Sequence, residues 1–154
     1  KFPQYVFYFV TKDELPIDDF DAVNSFIKTY NITCCINCAA YTAVDKAETE
    51  IEKAFLINAT SAGNLAAACK QSNSLFIHFS TDYVFNNNGT KPYKETDAVE
   101  PVNVYGQTKL KGEELILKNH TEAIIIRTSW VYSQYGKNFV KTMMKLMSVF
   151  TNTP

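Results

Sequence analysis

Residues 75–85 read Leu-Phe-Ile-His-Phe-Ser-Thr-Asp-Tyr-Val-Phe. The first six are apolar nearly throughout and form too short a run for a helix, so they read as a strand buried on both faces. Ser80, Thr81 and Asp82 then follow with no turn residue between. A buried strand ending in hydroxyl and carboxylate groups is what a parallel sheet presents at its ligand-binding edge. Short apolar runs recur at residues 5–10 (YVFYFV), 33–37 (TCCIN) and 124–128 (IIIRT). Between them lie stretches of helical spacing. Residues 19–30 carry Phe20, Val23, Phe26, Ile27 and Tyr30 on one face, two helical pieces fall within 44–71, and further helices are expected at 104–119 and 138–147. Residues 149–154 are not expected to continue the last helix. Residues 86–101 hold Asn-Asn-Asn-Gly, Pro92, Pro101 and several charges, the composition of a loop. Strands alternating with helices predict an α/β, doubly wound, Rossmann-like parallel sheet covered on both faces.

The length of 154 residues suits one domain, and 46% apolar with 20% charged residues is enough to build a core. A net charge of −1 offers no electrostatic footprint for nucleic acid or an acidic membrane surface. No apolar run approaches the ~18 residues of a membrane span. A cytoplasmic protein is the expectation. Cys35-Ile36-Asn37-Cys38 has the C-x-x-C spacing of redox and zinc sites. On a strand, residues three apart point to opposite faces, so these thiols are expected to be small buried hydrophobes, free and holding no metal.

Three strand ends break the apolar pattern: Asn37-Cys38-Ala39-Ala40-Tyr41, Ser80-Thr81-Asp82-Tyr83 and Arg127-Thr128-Ser129-Trp130. In a parallel sheet all three fall at one edge. Tyr105 and Lys109, four apart in the helix at 104–119, share a helix face. A cation beside a phenol favours phenolate and lowers its pKa, which suits proton donation to a carbonyl. Y-x-x-x-K alone is a common surface pair, and its meaning depends on its surroundings.

Those surroundings form an ordered set: Asn37-Cys38-Ala39-Ala40-Tyr41-Thr42-Ala43-Val44-Asp45-Lys46-Ala47-Glu48, then Ser80 to Phe85, Pro92-Tyr93-Lys94-Glu95-Thr96-Asp97, Pro101-Val102-Asn103-Val104-Tyr105-Gly106, Lys109-Leu110-Lys111-Gly112-Glu113, Arg127 to Tyr132 and Lys137-Asn138-Phe139-Val140. In this order, over about residues 15–147, the chain resembles the dTDP-4-dehydrorhamnose reductases, extended short-chain dehydrogenases/reductases. The resemblance implies NADPH-dependent reduction of the 4-keto group of dTDP-4-dehydro-L-rhamnose, with NADH not distinguished from NADPH. It implies Tyr105 as proton donor, Lys109 as its pKa partner and ribose ligand, and Thr81 as a hydrogen-bond partner of the reacting oxygen. It places Ala39, Ala40, Tyr41, Tyr105 and Lys109 at the cofactor, and Thr81, Asp82 and Trp130 at the dTDP-sugar. Mg2+ dependence is not readable from this chain, and a homodimer is left open.

The five glycines, Gly63, Gly89, Gly106, Gly112 and Gly136, do not form a dinucleotide fingerprint. Residues 1–154 therefore resemble a partial NAD(P)-binding Rossmann-like domain. The first strand with its glycine-rich loop and most of the substrate lobe are expected outside it, and these residues alone are expected to be inactive. Pro16 stands where the family usually has an aspartate near the cofactor, and Lys12, just past the first apolar run, could meet a 2′-phosphate, although a lysine there more often faces solvent. Two other readings share the motifs: a sugar-nucleotide epimerase or dehydratase of the same fold, and a non-catalytic regulatory subunit with this fold, as in methionine adenosyltransferase. An intact Thr81, Tyr105 and Lys109 set argues against the latter.

Overall fold

A computed structural model of the chain describes residues 3–86, 88–89, 91–136 and 138–150. Lys137 of the last motif lies outside these. Helix α1 (Phe20–Thr29) opens on Asp19, whose carboxylate accepts the Ala22 N–H at 3.1 Å. It closes at Tyr30 ahead of Asn31, which takes the left-handed φ of 47° that asparagine tolerates. Strand β1 (Cys34–Asn37) follows, then a short helix α2 (Val44–Ala47). The second helical piece is one rod made of α3 (Ile51–Phe55), a π-helical segment (Leu56–Ser61) and α4 (Ala62–Gln71). Strand β2 (Leu75–Thr81) runs into a 3-10 turn (Asp82–Val84). Helix α5 (Val104–Asn119), strand β3 (Ile124–Thr128) and helix α6 (Phe139–Phe150) complete the order.

The strands form one parallel sheet in the order β1-β2-β3, with Asn37 opposite His78 and Thr81 opposite Thr128. One face carries Phe76, which packs with Val23 and Ile27 of α1, Leu65, Ala66 and Cys69 of α4, and Ile116 of α5. These side chains come from the helical and alternating positions the sequence marks as apolar, so the core follows from the pattern.

Three expectations change. Residues 5–10 are not a strand: they lie outside the sheet, with Phe9 88% exposed. A strand needs a neighbouring ladder, and the described sheet consists of β1, β2 and β3 alone. The strands are also not covered on both faces. Ile36, Leu75, Phe79, Ile124 and Ile126 alternate with the core positions and are exposed. For the same reason Cys34 and Cys38 are exposed instead of buried, Cys35 is half-buried and Cys69 is buried, all four as free thiols. Finally, α6 runs on to Phe150, because no glycine or proline interrupts the sequence before Pro154.

The π-helical segment sets the distance between the rod and α5. Asn58, on its wide turn, is buried. It accepts the Tyr41 N–H at 2.8 Å and donates to the Tyr41 carbonyl at 3.1 Å and to Thr108 Oγ1 at 3.0 Å. One side chain thus ties the loop after β1 to α5. The approach is close enough that a Cβ on Gly112 would lie 2.2 Å from the Asn58 carbonyl oxygen. On helix propensity alone, Gly112→Ala would stabilise by about 1 kcal/mol. Overpacking against backbone should win, with a net loss of about 1–3 kcal/mol in chemical denaturation of the full-length protein. A stabilised Gly112→Ala variant would contradict the close contact.

Candidate functional site

Parallel pairing brings the carboxyl ends of β1, β2 and β3 to one edge of the sheet. At the end of β2, Thr81 caps the 3-10 turn, its Oγ1 accepting the Tyr83 N–H at 3.2 Å and donating to Asp82 at 3.1 Å. Asp82 Oδ2 accepts the Ser129 hydroxyl at 2.7 Å, which ties this turn to the end of β3. Asp82, Tyr83, Ser129 and Trp130 line an open cleft of about 440 Å³. Trp130 is 70% exposed and holds a left-handed φ of 51°, unusual for a bulky residue, while its ring meets Phe139 edge-on at 4.8 Å.

Helix α5 delivers Tyr105 to the same edge. Its start is fixed twice: Asn103 accepts the Gly106 N–H at 2.7 Å, and Glu48, just past α2, accepts the Val104 N–H at 2.9 Å. Gly106 lets the first turn lie against the Tyr83 carbonyl, where a Cβ would come within 2.3 Å. The Tyr105 ring meets Tyr83 edge-on at 5.5 Å. Burial pushes the Tyr105 phenol above its ordinary value, while hydrogen bonding with Thr81 pulls it back and Asp82 and Tyr83 add to the rise. The phenol is therefore held protonated at neutral pH.

Lys109 departs from its expected part. Its side chain is buried, 1% exposed, and turns from Tyr105 toward β2. There Nζ donates to the Phe79 carbonyl at 2.7 Å and lies 3.0 Å from His78 Nε2. It is not among the groups acting on the Tyr105 phenol. The i, i+4 spacing puts both residues on one face, but a four-carbon stem reaches past the phenol to a backbone acceptor in the core. Burial draws the Lys109 ammonium down to about 8, with Glu113 opposing.

Sequence reasoning passed over the residues behind this pair. His78, inside the apolar run, contacts Asn37, whose Nδ2 donates to His78 Nδ1 at 3.0 Å. Asn37 Oδ1 accepts the Ala39 N–H at 2.9 Å. A histidine on an otherwise apolar strand was the available signal. One turn beyond Lys109, Glu113 receives Arg127 of β3 through two bonds, at 3.0 and 2.6 Å, and the Ser80 hydroxyl at 2.5 Å. Arg127 also lies over the Phe85 ring, 5.0 Å from its centroid. Of the expected cofactor positions, Ala39 is exposed and Ala40 and Tyr41 half-buried, directly after β1. Among the described residues, Asp82 and Trp130 line the cleft with Tyr83 and Ser129, Thr81 and Tyr105 adjoin it through Asp82 and Tyr83, and Lys109 is buried.

A family model described as RmlD substrate binding domain matches residues 3–152. The chain belongs to that family. It is 46% identical over 133 residues to a dTDP-4-dehydrorhamnose reductase of Aggregatibacter actinomycetemcomitans, covering 86% of this chain and 45% of the relative. It is 52% identical over 111 residues to that of Salmonella typhimurium, covering 72% of this chain and 37% of the relative. The chain thus spans less than half the length of these curated relatives. Among solved structures, the dTDP-4-dehydrorhamnose reductase of Bacillus anthracis in complex with NADP superposes with a TM-score of 0.92 at 38% identity, covering 96% of this chain and 52% of that one. A UDP-glucose 4-epimerase from Brucella ovis, at 22% identity and a TM-score of 0.65, shares the fold alone.

The site carries a pH signature. Burial, with Lys109 beside it, pushes His78 from 6.5 down to about 3. Between those values the unfolded chain binds a proton that the folded chain refuses, so stability falls as pH drops through that window, by up to about 1.4 kcal/mol per pH unit. Lys109 acts between about 8 and 10.5, where the unfolded chain again holds the extra proton, so stability rises with pH there. Thermal unfolding of the full-length protein should show a shallower loss between pH 6.5 and 4 in His78→Gln than in the parent. Equal acid slopes would mean that His78 is not held neutral by burial.

Proposed function

We propose that this protein reduces the 4-keto group of dTDP-4-dehydro-L-rhamnose to dTDP-L-rhamnose, with NADPH as the reductant. One observation carries the reading: at the carboxyl edge of the sheet, a half-buried phenol kept protonated stands with Thr81 beside it, against Tyr83, which lines an open cleft. The dTDP-4-dehydrorhamnose reductases of similar sequence, and the Bacillus anthracis structure with NADP, support the substrate and the cofactor. No described helix is long and apolar enough to cross a membrane. On this reading residues 1–154 are part of an NAD(P)-binding Rossmann-like domain.

The residues present fit such a cofactor. Ala39 and Ala40 put only methyl groups at the end of β1, leaving room for a flat group near the backbone, and Tyr105 and Lys109 approach the same edge from α5. NADPH, when bound, supplies the hydride. Tyr105 supplies the proton to the carbonyl oxygen, and its raised pKa keeps that proton in place until charge develops. Thr81 orients the same oxygen, Asp82 with its Ser129 bond is set to meet sugar hydroxyls, and Trp130 offers an apolar wall. Lys109 completes the set as the cofactor-side cation when it turns out from β2.

Tyr105→Phe removes the acidic hydroxyl and keeps the ring. The rate of dTDP-4-dehydro-L-rhamnose reduction by the full-length variant should fall about 10²–10⁴-fold with cofactor affinity little changed. Thr81→Val should cost less, since the donor remains. A Tyr105→Phe rate within about twofold of the parent would remove Tyr105 from the mechanism and the reading with it.

A further inference from the structure

Lys109, His78 and Asn37 form a buried row from α5 through β2 to β1, and its polarity can be worked out atom by atom. It starts at the backbone. The Ala39 N–H points at Asn37 Oδ1, 2.9 Å away, which fixes the carboxamide with its NH₂ toward His78. That NH₂ donates to His78 Nδ1 at 3.0 Å, so Nδ1 carries the lone pair. The imidazole is neutral, its ionisation pushed down to about 3, first of all by burial. A neutral imidazole carries one proton, and here it must sit on Nε2. Nε2 faces Lys109 Nζ at 3.0 Å. An Nε2–H can be accepted by the lone pair of an amine, whereas an ammonium has only protons to present.

We infer that Asn37 and His78 are positioning residues that present a fixed N–H to Lys109 Nζ and so favour its neutral amine over its ammonium. The inference rests on the reading of Lys109 as part of the reductase site and gives that residue a partner set of its own. A neutral amine still donates to the Phe79 carbonyl at 2.7 Å, so the docked position satisfies both sides of the nitrogen. An ammonium in the same place would face one donor with another, a buried clash that favours either loss of a proton or departure from β2. Burial acts on Lys109 in the same direction as the row, and of the charged groups on the surrounding elements Glu113 opposes it. Glu113 on α5 favours the ammonium but is already engaged by Arg127 and Ser80. Asp82 of the 3-10 turn acts on Tyr105, and Glu48 caps Val104. Glu50 and Lys53 at the start of the helical rod pair with each other, and Lys70 of α4 pairs with Glu122. Asn58 of the π segment is neutral and bonded to Thr108.

Asn37→Asp tests the polarity with almost no change of shape. A carboxylate still accepts the Ala39 N–H, but it now accepts from His78 Nδ1 as well, which moves the imidazole proton to Nδ1 and turns the Nε2 lone pair toward Lys109. Selectively labelled full-length protein, free of ligands, gives two readouts. Long-range 15N–1H spectra report the His78 tautomer, and titration of the Lys109 side-chain carbon, assigned with Lys109→Arg, reports its ionisation. In the parent, His78 should carry its proton on Nε2, and Lys109 should titrate well below an ordinary lysine near ~10.4. In Asn37→Asp the proton should move to Nδ1 and Lys109 should hold its own proton at least 10-fold more tightly. An Nδ1–H tautomer in the parent, an ordinary Lys109 titration, or an unmoved Lys109 in folded Asn37→Asp would each overturn the inference. If Asn37→Asp does not fold, the two parent measurements decide. The basic limb of kcat against pH should move up in the variant with the titration. If Lys109 shifts and that limb does not, the clamp stands and the assignment of Lys109's charge to the reduction falls.

Discussion

The site depends on how closely α5 can lie against the rest of the molecule. Tyr105 and Lys109 ride on that helix, and everything they meet belongs to β2 or to the loops at its end. Two glycines set the approach: Gly106 lets the first turn of α5 lie on the Tyr83 carbonyl, and Gly112 lets the third lie on the Asn58 carbonyl. In between, Thr108 accepts from Asn58 and Lys109 reaches the Phe79 carbonyl. A side chain at either glycine would lift the helix, and a four-carbon lysine stem has little slack to follow it. The close packing thus comes before the chemistry: it decides which polar groups are near enough to hydrogen-bond and which must be buried without water.

Burying polar groups there is expensive unless each has a partner. His78, Lys109, Thr108, Asn58, Ser80 and Glu113 are all buried, and all are bonded to one another or to backbone. The Ser80–Glu113–Arg127 group joins β2, α5 and β3 through charge-assisted bonds whose bidentate geometry fixes orientation as well as distance. A pair of this sort gains little net stability over apolar packing, because desolvation offsets most of the attraction. What it adds is register. Apolar side chains would let α5 slide along the sheet, whereas a guanidinium seated on Glu113 permits one alignment, the one that brings Tyr105 to Thr81.

Local pattern made much of this legible before any coordinates. The helix expected at 104–119 is α5 residue for residue, and β3 falls where IIIRT places it, because both carry their periodicity and their caps in sequence. Thr81 and Asp82 were readable as an edge group, since parallel strands share a carboxyl edge, and Tyr105 joined them through the family resemblance. Residues 5–10 were misread because an apolar run reports a preference for burial, and strand formation also needs a neighbouring ladder. The exposed row of Ile36, Leu75, Phe79, Ile124 and Ile126 has the same origin: composition marks surfaces that favour cover without saying what covers them. His78 was missed because one polar residue in LFIHFS looks like noise until Asn37 and Lys109 are seen on either side of it.

The i, i+4 rule explains the remaining disagreement. It brings the Cβ atoms of Tyr105 and Lys109 onto one face, and for short or stiff side chains that would settle their contact. Here the two chains differ in length and in what each satisfies. The phenol is stiff and ends beside Thr81 and Tyr83. The lysine stem is long and flexible, and it reaches the Phe79 carbonyl of β2. A cation beside the phenol would be stabilised by phenolate only after the proton has left. Before that moment the phenol is neutral and offers the lysine nitrogen nothing to compare with a backbone carbonyl to donate to and an imidazole N–H to accept. The docked lysine is therefore the arrangement expected of the site before reaction, and the pairing inferred from spacing is the one that developing charge would favour.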